Sequence, residues 1–296
     1  MPVYRIAKPV RIGSNHSSLQ SITMEACIQW AADPGKPIAP ESIKQAAHLF
    51  RLHGTLMLEN SFDPDVVKSL NADFIANYAS KDRSEIERTC LKVGLERFMF
   101  TIRLQPPFMQ PAVYAAARVL PVVRELLGED CVIQSIGAVC AYPGAEAQHV
   151  HRDHPELYSE AGGLNAFLPP FALHVVVPLV DLDEETGTTA LWEGSHRIKS
   201  RAESERWTRD ELNQFKGAVM PWPKVGDCYF MDFRLRHAGT ANGSDLPRPI
   251  LYLVFSRRWF QDRKNYDLQP PLLISRDEYE RIPDEYKPLF LNAVPT

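Results

Sequence analysis

From Cys131 onward the chain is a succession of short apolar runs broken by Gly, Pro and Asp, and no other feature limits its fold as strongly. VIQSIGAVCAY, FALHVVVPLVDL, TTALW, DCYFMDF and PILYLVFS follow one another as strand-like segments without the helical crossovers that a parallel sheet requires. Such a series predicts a sandwich or jelly roll. The run Ile250 to Ser256 is apolar on both faces, the pattern of a strand covered on two sides. Upstream, to about Gly128, helical spacing prevails. Pro40 to His53 places its apolar residues on one helical stripe, Asp63 to Lys81 opens on the helix-start signal Asp-Pro-Asp, and Gln110 to Leu127 ends at Gly128, with one strand at Gly54 to Asn60 between the first two. The expectation is a mainly β protein with flanking helices. Its 296 residues form one domain: a mainly helical part over 1–128, a jelly-roll core over 129–260 and a tail over 261–296 packing on that core.

Hydrophobic residues at 45 % and charged residues at 24 % are the mix of a globular protein able to bury a core. A formal charge of -4, with basic residues scattered, predicts no nucleic-acid partner. The opening MPVYRIAKPVRIG has no apolar signal region, and no apolar run reaches the ~20 residues of a membrane span, so a cytoplasmic protein without membrane contact is expected. Five cysteines with no Cys-x-x-Cys spacing predict reduced thiols rather than disulfides or a thiolate zinc site. Nucleotide-binding patterns GxGxxG and GxxxxGKS/T do not occur. One chain sets no oligomeric state.

The chemistry is carried by histidines. His149, His151 and His154 crowd the stretch QHVHRDHPELY. Side chains alternate along an extended strand, so His151 and Asp153 project to one side and can chelate a common ion, and His149 shares their parity. Two ligands hold a metal weakly. His237, eighty-four residues beyond Asp153 and just after DCYFMDF, is the best third ligand, near a barrel mouth. Two imidazoles and a carboxylate on one face of an octahedral ion leave three positions open, as iron(II) oxygenases require. Arg248, eleven residues after His237 at the head of PILYLVFS, can pair bidentately with a carboxylate. A metal-chelating 2-oxo acid with a distant carboxylate suits that combination.

The motif His151-Arg152-Asp153, the block DEETGTTALWEGSHR and the block GDCYFMDFRLRHAGTANGSDLPRPILYLVFS together resemble the phytanoyl-CoA dioxygenase family of iron(II)/2-oxoglutarate enzymes. The resemblance covers roughly residues 40 to 260. It implies a double-stranded β-helix, with His151, Asp153 and His237 as both the metal ligands and the catalytic centre, and with iron(II), 2-oxoglutarate as co-substrate and dioxygen as the cofactor set. It also implies Arg248 on the C5 carboxylate of 2-oxoglutarate. The small hydroxyl residue that often helps hold this carboxylate is absent two residues past His237, where Gly239 stands, and Thr240 is taken as its substitute. An aromatic residue found in some relatives is replaced here by Val176 or a neighbour. Halogenating members lack the carboxylate ligand, so Asp153 favours hydroxylation of a small organic molecule, with natural-product metabolism as one setting. Desaturation, epoxidation, rearrangement and endoperoxidation use the same cofactors, and a non-catalytic cupin-like binding protein would keep the barrel alone.

His174 sits on an apolar strand. It is either a core histidine or an imidazole beside the 2-oxoglutarate pocket, and it is grouped with the cofactor-binding residues. His154 and His196 read as surface or supporting residues. The segment GLERFMFTIRLQPPF reads as a packed strand with exposed arginine heads rather than a substrate entrance.

Overall fold

The computed structural model describes residues 24–30, 33, 36–154, 157–158, 164–197, 211, 214–263, 265 and 272–296. The N-terminal run MPVYRIAKPVRIG and His16 lie outside the described residues. Among these, the strands are β1 (Cys27–Gln29), β2 (Thr55–Glu59), β3 (Leu91–Gly94), β4 (Arg97–Thr101), β5 (Arg103–Leu104), β6 (Val132–Ala141), β7 (Ala172–Pro178), β8 (Thr189–Leu191), β9 (Cys228–Asp232), β10 (His237–Gly239), β11 (Arg248–Ser256) and β12 (Leu273–Ile274). Eight of them form one sheet in the order β1-β2-β9-β7-β11-β6-β4-β3, and only the β1·β2 pair is parallel. A smaller layer is built around the antiparallel pair β8·β10, widened by bridges from His151 to His237 and from Val219 to Leu191. Two layers of antiparallel strands with a cavity between them make the jelly roll, and all five apolar runs of the second half are strands within it.

The central strand β11 explains its own sequence. Arg248, Ile250 and Tyr252 line the cavity. Leu251, Leu253 and Phe255 point to the other face, into the core beneath the helices with Phe50, Leu126 and Phe290. Both faces are covered, so the strand is apolar throughout. Each buried Leu or Phe in this layer contributes about 1.5–3 kcal/mol of transfer free energy.

The covering helices are α1 (Pro40–His53), α2 (Pro64–Phe74), α3 (Arg83–Thr89), α4 (Pro111–Tyr114), α5 (Leu120–Leu127) and, near the C-terminus, α6 (Arg276–Glu280). Asp63 caps α2 by accepting from the Asp65 amide at 2.9 Å, and a π-helical turn over Ile75–Ala79 extends it toward Ser80. Two expectations need correction. The helix expected over Gln110 to Leu127 is broken at 115–119, because Pro121 has no N–H for a continuing ladder and disfavours helical backbone before it. The first 128 residues also hold more strand than expected, since β1 and β3 join the expected β2 and β4 at the two edges of the main sheet. In the tail, β12 pairs with β5, and Phe290 packs edge-on against Tyr114 at 5.0 Å.

Candidate active site

The small layer brings His151 and His237 together. Each donates its backbone N–H to the carbonyl of the other at 3.0 Å, and their ring centroids stand 4.4 Å apart. Asp153 follows on the same side, with Oδ2 3.5 Å from His237 Nε2 and Oδ1 4.0 Å from His151 Nε2. His151 Nδ1 lies 2.9 Å from the His149 carbonyl and His237 Nδ1 lies 3.1 Å from the Leu235 carbonyl. A carbonyl only accepts, so each Nδ1 carries the proton and each Nε2 keeps its electron pair for a metal. Burial pushes the His151 imidazole down to about 4, which keeps it neutral near pH 7. One donor atom from each of the three residues lies within 4.8 Å of the others. Two nitrogens and one oxygen so arranged fit a divalent iron-type ion with positions to spare.

The Gly-Ser-His block acts as scaffolding. Ser195 Oγ accepts from the Arg236 amide at 2.8 Å, one residue before His237, and the Trp192 amide donates to the Arg236 carbonyl. His196 is buried and its Nε2 faces the Arg51 carbonyl at 3.2 Å, away from the cavity.

A cavity of about 490 Å3 lies against the triad. At one end stand two guanidinium groups. Arg248 on β11 and Arg97 on β4 both sit opposite Ala141 on β6, so they occupy one cross-strand row on one face. Arg248 and Arg97 are 4 % and 2 % exposed, and among the described residues neither has an ion-pair partner. Arg248 Nη1 donates to the Thr186 and Thr188 carbonyls at 3.1 and 3.3 Å, while Arg97 Nη2 donates to the Thr240 and Glu146 carbonyls at 2.7 and 3.1 Å. Loss of hydration pushes Arg248 down to about 10 and Arg97 to about 9, Arg97 also by the neighbouring Arg248 charge. Two buried cations that meet only neutral carbonyls among the described residues call for an anion.

Arg97 is the cavity residue that sequence reasoning set aside, and the expectation of an exposed arginine head there is wrong. Phe98 and Phe100 alternate with Arg97, Met99 and Thr101, a pattern that suits a strand with one face on solvent equally well as one with a face on a cavity. Gln148 was missed too. Its Oε1 accepts from the Gly239 amide at 2.9 Å and its Nε2 donates to the Val93 carbonyl at 2.8 Å, tying the approach to His151 onto β10 and β3.

His174 and Thr240 lie in different places. His174 stacks on Phe233 with centroids 4.7 Å apart, and its Nδ1 is 3.4 Å from Asp153 Oδ2. It borders the triad, six residues along β11 from the level of Arg248, because it pairs with Val254. The Thr240 hydroxyl donates to the Thr188 carbonyl at 3.1 Å and accepts from the Thr188 amide at 2.7 Å. Thr240 therefore steadies Thr188, one of the carbonyls that anchor Arg248. Thr188 and Thr189 border the cavity, and Thr189 Oγ1 pairs with the Tyr229 hydroxyl at 2.8 Å.

The turn that delivers these carbonyls is local chemistry. Asp183 Oδ1 accepts from the Glu185 and Thr186 amides at 3.0 and 2.8 Å, and the chain reverses at Gly187 with φ +76°. A β-carbon at Gly187 would lie 2.6 Å from Thr240 Oγ1 and 2.7 Å from Arg248 Nη1. Gly187→Ala is expected to cost more than about 2 kcal/mol, combining left-handed backbone strain with overpacking. Thermal denaturation should register this as a melting temperature lower by roughly 4–8 °C; an unchanged melt would contradict the geometry.

Among the described residues no helix is long and apolar enough to cross a membrane. The family model for phytanoyl-CoA dioxygenase (PhyH) matches residues 50–250. Dioxygenase af480 of Aspergillus fumigatus is 25 % identical over 156 residues, which are 51 % of this chain and 46 % of that protein, so the chain aligns with less than half of that curated relative. The solved structure of EctD from S. alaskensis in its apo form is 25 % identical, with a TM-score of 0.55 over 83 % of this chain and 86 % of that one. EctD with 2-oxoglutarate and 5-hydroxyectoine is similar at 26 % identity and TM-score 0.53, over 77 % of this chain and 78 % of that one. The 2-oxoglutarate-dependent epimerase SnoN from nogalamycin biosynthesis shares the fold at 18 % identity and TM-score 0.57, over 74 % of this chain and 82 % of its own. With the jelly roll, the gathered His-Asp-His set and a family match over most of its length, the chain belongs to the phytanoyl-CoA dioxygenase family of 2-oxoglutarate-dependent, non-haem iron dioxygenases.

Proposed function

We propose that the chain, acting as one catalytic domain, hydroxylates a small organic molecule, with His151, Asp153 and His237 holding iron(II) and Arg248 holding the far carboxylate of 2-oxoglutarate. The observation that carries this reading is a donor set for a divalent cation and a pair of buried guanidinium groups within a single cavity. A dicarboxylate that chelates the cation at one end meets both needs. Bound iron(II) and 2-oxoglutarate supply, with dioxygen, the oxidising power for attack on a substrate C–H bond.

The protein's part is orientation and exclusion of water. Arg248 and Arg97 set the direction of the dicarboxylate, Thr240 acts through Thr188, and His174 borders the carboxylate of Asp153 from the side opposite Arg248. The apolar walls Met99, Val139, Val176 and Ile250 keep the enclosure dry, which strengthens each charge interaction. A cavity of about 490 Å3 suits a small-molecule substrate beside 2-oxoglutarate.

The test is anaerobic titration with iron(II) and then 2-oxoglutarate, following the weak visible charge-transfer band of the chelate. The band should appear in the wild type and vanish in His151→Ala. Its absence in the wild type, or its persistence in the variant, refutes the assignment. Mass spectrometry of turnover products separates hydroxylation, a gain of one oxygen atom, from desaturation, a loss of two hydrogens.

A further inference from the structure

The cavity has two chemically different ends. Away from the guanidinium row and past the triad, Asp262 joins His174, Phe233 and Tyr252 in the wall. Asp262 is 4 % exposed, and among the described residues its carboxylate takes hydrogen bonds from one residue, Asn265. The Asn265 backbone N–H donates to Oδ1 at 3.1 Å and the side-chain Nδ2 to Oδ2 at 2.7 Å. Asn265 Nδ2 also donates to the Asp153 carbonyl at 2.9 Å, which fixes Asp262 beside the segment that carries the triad.

A carboxylate offers about four acceptor positions, so among the described residues roughly two of them have no donor. Among the described residues no Lys or Arg pairs with Asp262, and Arg152, another cation of the wall, lies beside Arg236. The aromatic walls suit a cation as well. Phe233 stacks on His174 and the Tyr252 ring stands 6.1 Å from that imidazole, so two ring systems border the same end. A carboxylate and aromatic rings bordering one space are the chemistry that recognises an ammonium group.

We infer that the substrate carries a protonated amine, seated against Asp262 beside Phe233 and Tyr252. This rests on the proposed function, which assigns Arg97 and Arg248 to 2-oxoglutarate and so leaves Asp262 to the substrate. The ammonium hydrogens fill the open carboxylate positions, and the amine then directs the rest of the skeleton across the face of the triad. A hydroxyl in its place donates one hydrogen bond to the carboxylate and brings no compensating charge.

The test uses the anaerobic protein loaded with iron(II) and 2-oxoglutarate. Primary amines are titrated alongside alcohols of the same skeleton, benzylamine with benzyl alcohol and 1,4-diaminobutane with 1,4-butanediol, and perturbation of the chelate band is followed. Amines should bind at least about tenfold more tightly than their alcohols, since an ammonium adds to its hydrogen bond a charge attraction to the buried carboxylate that a hydroxyl lacks. Asp262→Asn should bring that ratio near one while retaining the chelate band. Alcohols binding as well as amines, no response to any amine, or an undiminished ratio in Asp262→Asn would each overturn the inference. The wild-type ratio decides the matter even where the variant fails to load. A missing chelate band before any amine is added counts instead against the proposed function.

Discussion

His237→Ala should lose iron(II) affinity by at least about 100-fold and leave no chelate band. Removal of groups that merely orient a metal ligand costs roughly 10–100-fold, so loss of a ligand itself cannot cost less. The geometry adds a reason. His237 is 6 % exposed, sits on β10 between β8 and the His151 segment, and has its Nδ1 proton committed to the Leu235 carbonyl. Its Nε2 is therefore presented to the cavity with no freedom to be replaced by a neighbour. His154→Ala is the control. That imidazole packs edge-on against Phe171 and Phe260, at 6.0 and 5.2 Å, and lies outside the gathered set. Iron(II) titration by calorimetry should show near wild-type affinity for His154→Ala. If His237→Ala binds iron(II) as the wild type does, the proposed metal centre is wrong.

Arg248→Met should weaken 2-oxoglutarate binding by about 2–5 kcal/mol, the usual cost of deleting one partner of a buried charge pair. That corresponds to roughly 30-fold or more in affinity. Arg97→Met should also weaken it, because Arg97 shares the row with Arg248 and has no other anion among the described residues. Arg97 additionally holds the Thr240 and Glu146 carbonyls, so its loss disturbs the turn around Gly239, and the double variant should show less than the summed effect. The measurement is the melting-temperature rise on adding 2-oxoglutarate with iron(II), each variant compared with its own ligand-free melt. For the wild type, ligand at 100 times its Kd stabilises by about 2.7 kcal/mol. A probe separates charge recognition from general damage: 2-oxobutyrate keeps the chelating end but lacks the far carboxylate. Its binding should change little in Arg248→Met. Equal losses for 2-oxobutyrate and 2-oxoglutarate would show that Arg248 does not act on the far carboxylate.

Much of this site was legible before any coordinates. His151 and Asp153 are two residues apart, and alternation along an extended segment places them on one side whatever surrounds them. His237 and Arg248 flank β11 and its predecessor at an offset that resembles the family pattern, and the structure puts both at the cavity. The strand runs of the second half were equally plain, because each is a short run of β-branched, aromatic or other apolar residues set off by Gly, Pro or Asp. The N-terminal part was harder. β4 falls in a segment that reads as a strand, but β3 has four residues and β1 three, too short for any periodic signal.

What the sequence alone determined is therefore the local and the repetitive: short apolar runs, the chelating pair, and the order of the chemical groups. Only the tertiary structure decided which polar strand faces look inward. Arg97 reads as an exposed head, and His174 as either a core histidine or a pocket residue, in one dimension. A half-polar strand face is compatible with water or with a lined cavity, and the choice depends on whether a second layer closes over it. Here β8, β10 and the His151 segment supply that layer from residues up to about 140 positions away from Arg97, a distance in sequence over which no local pattern carries information.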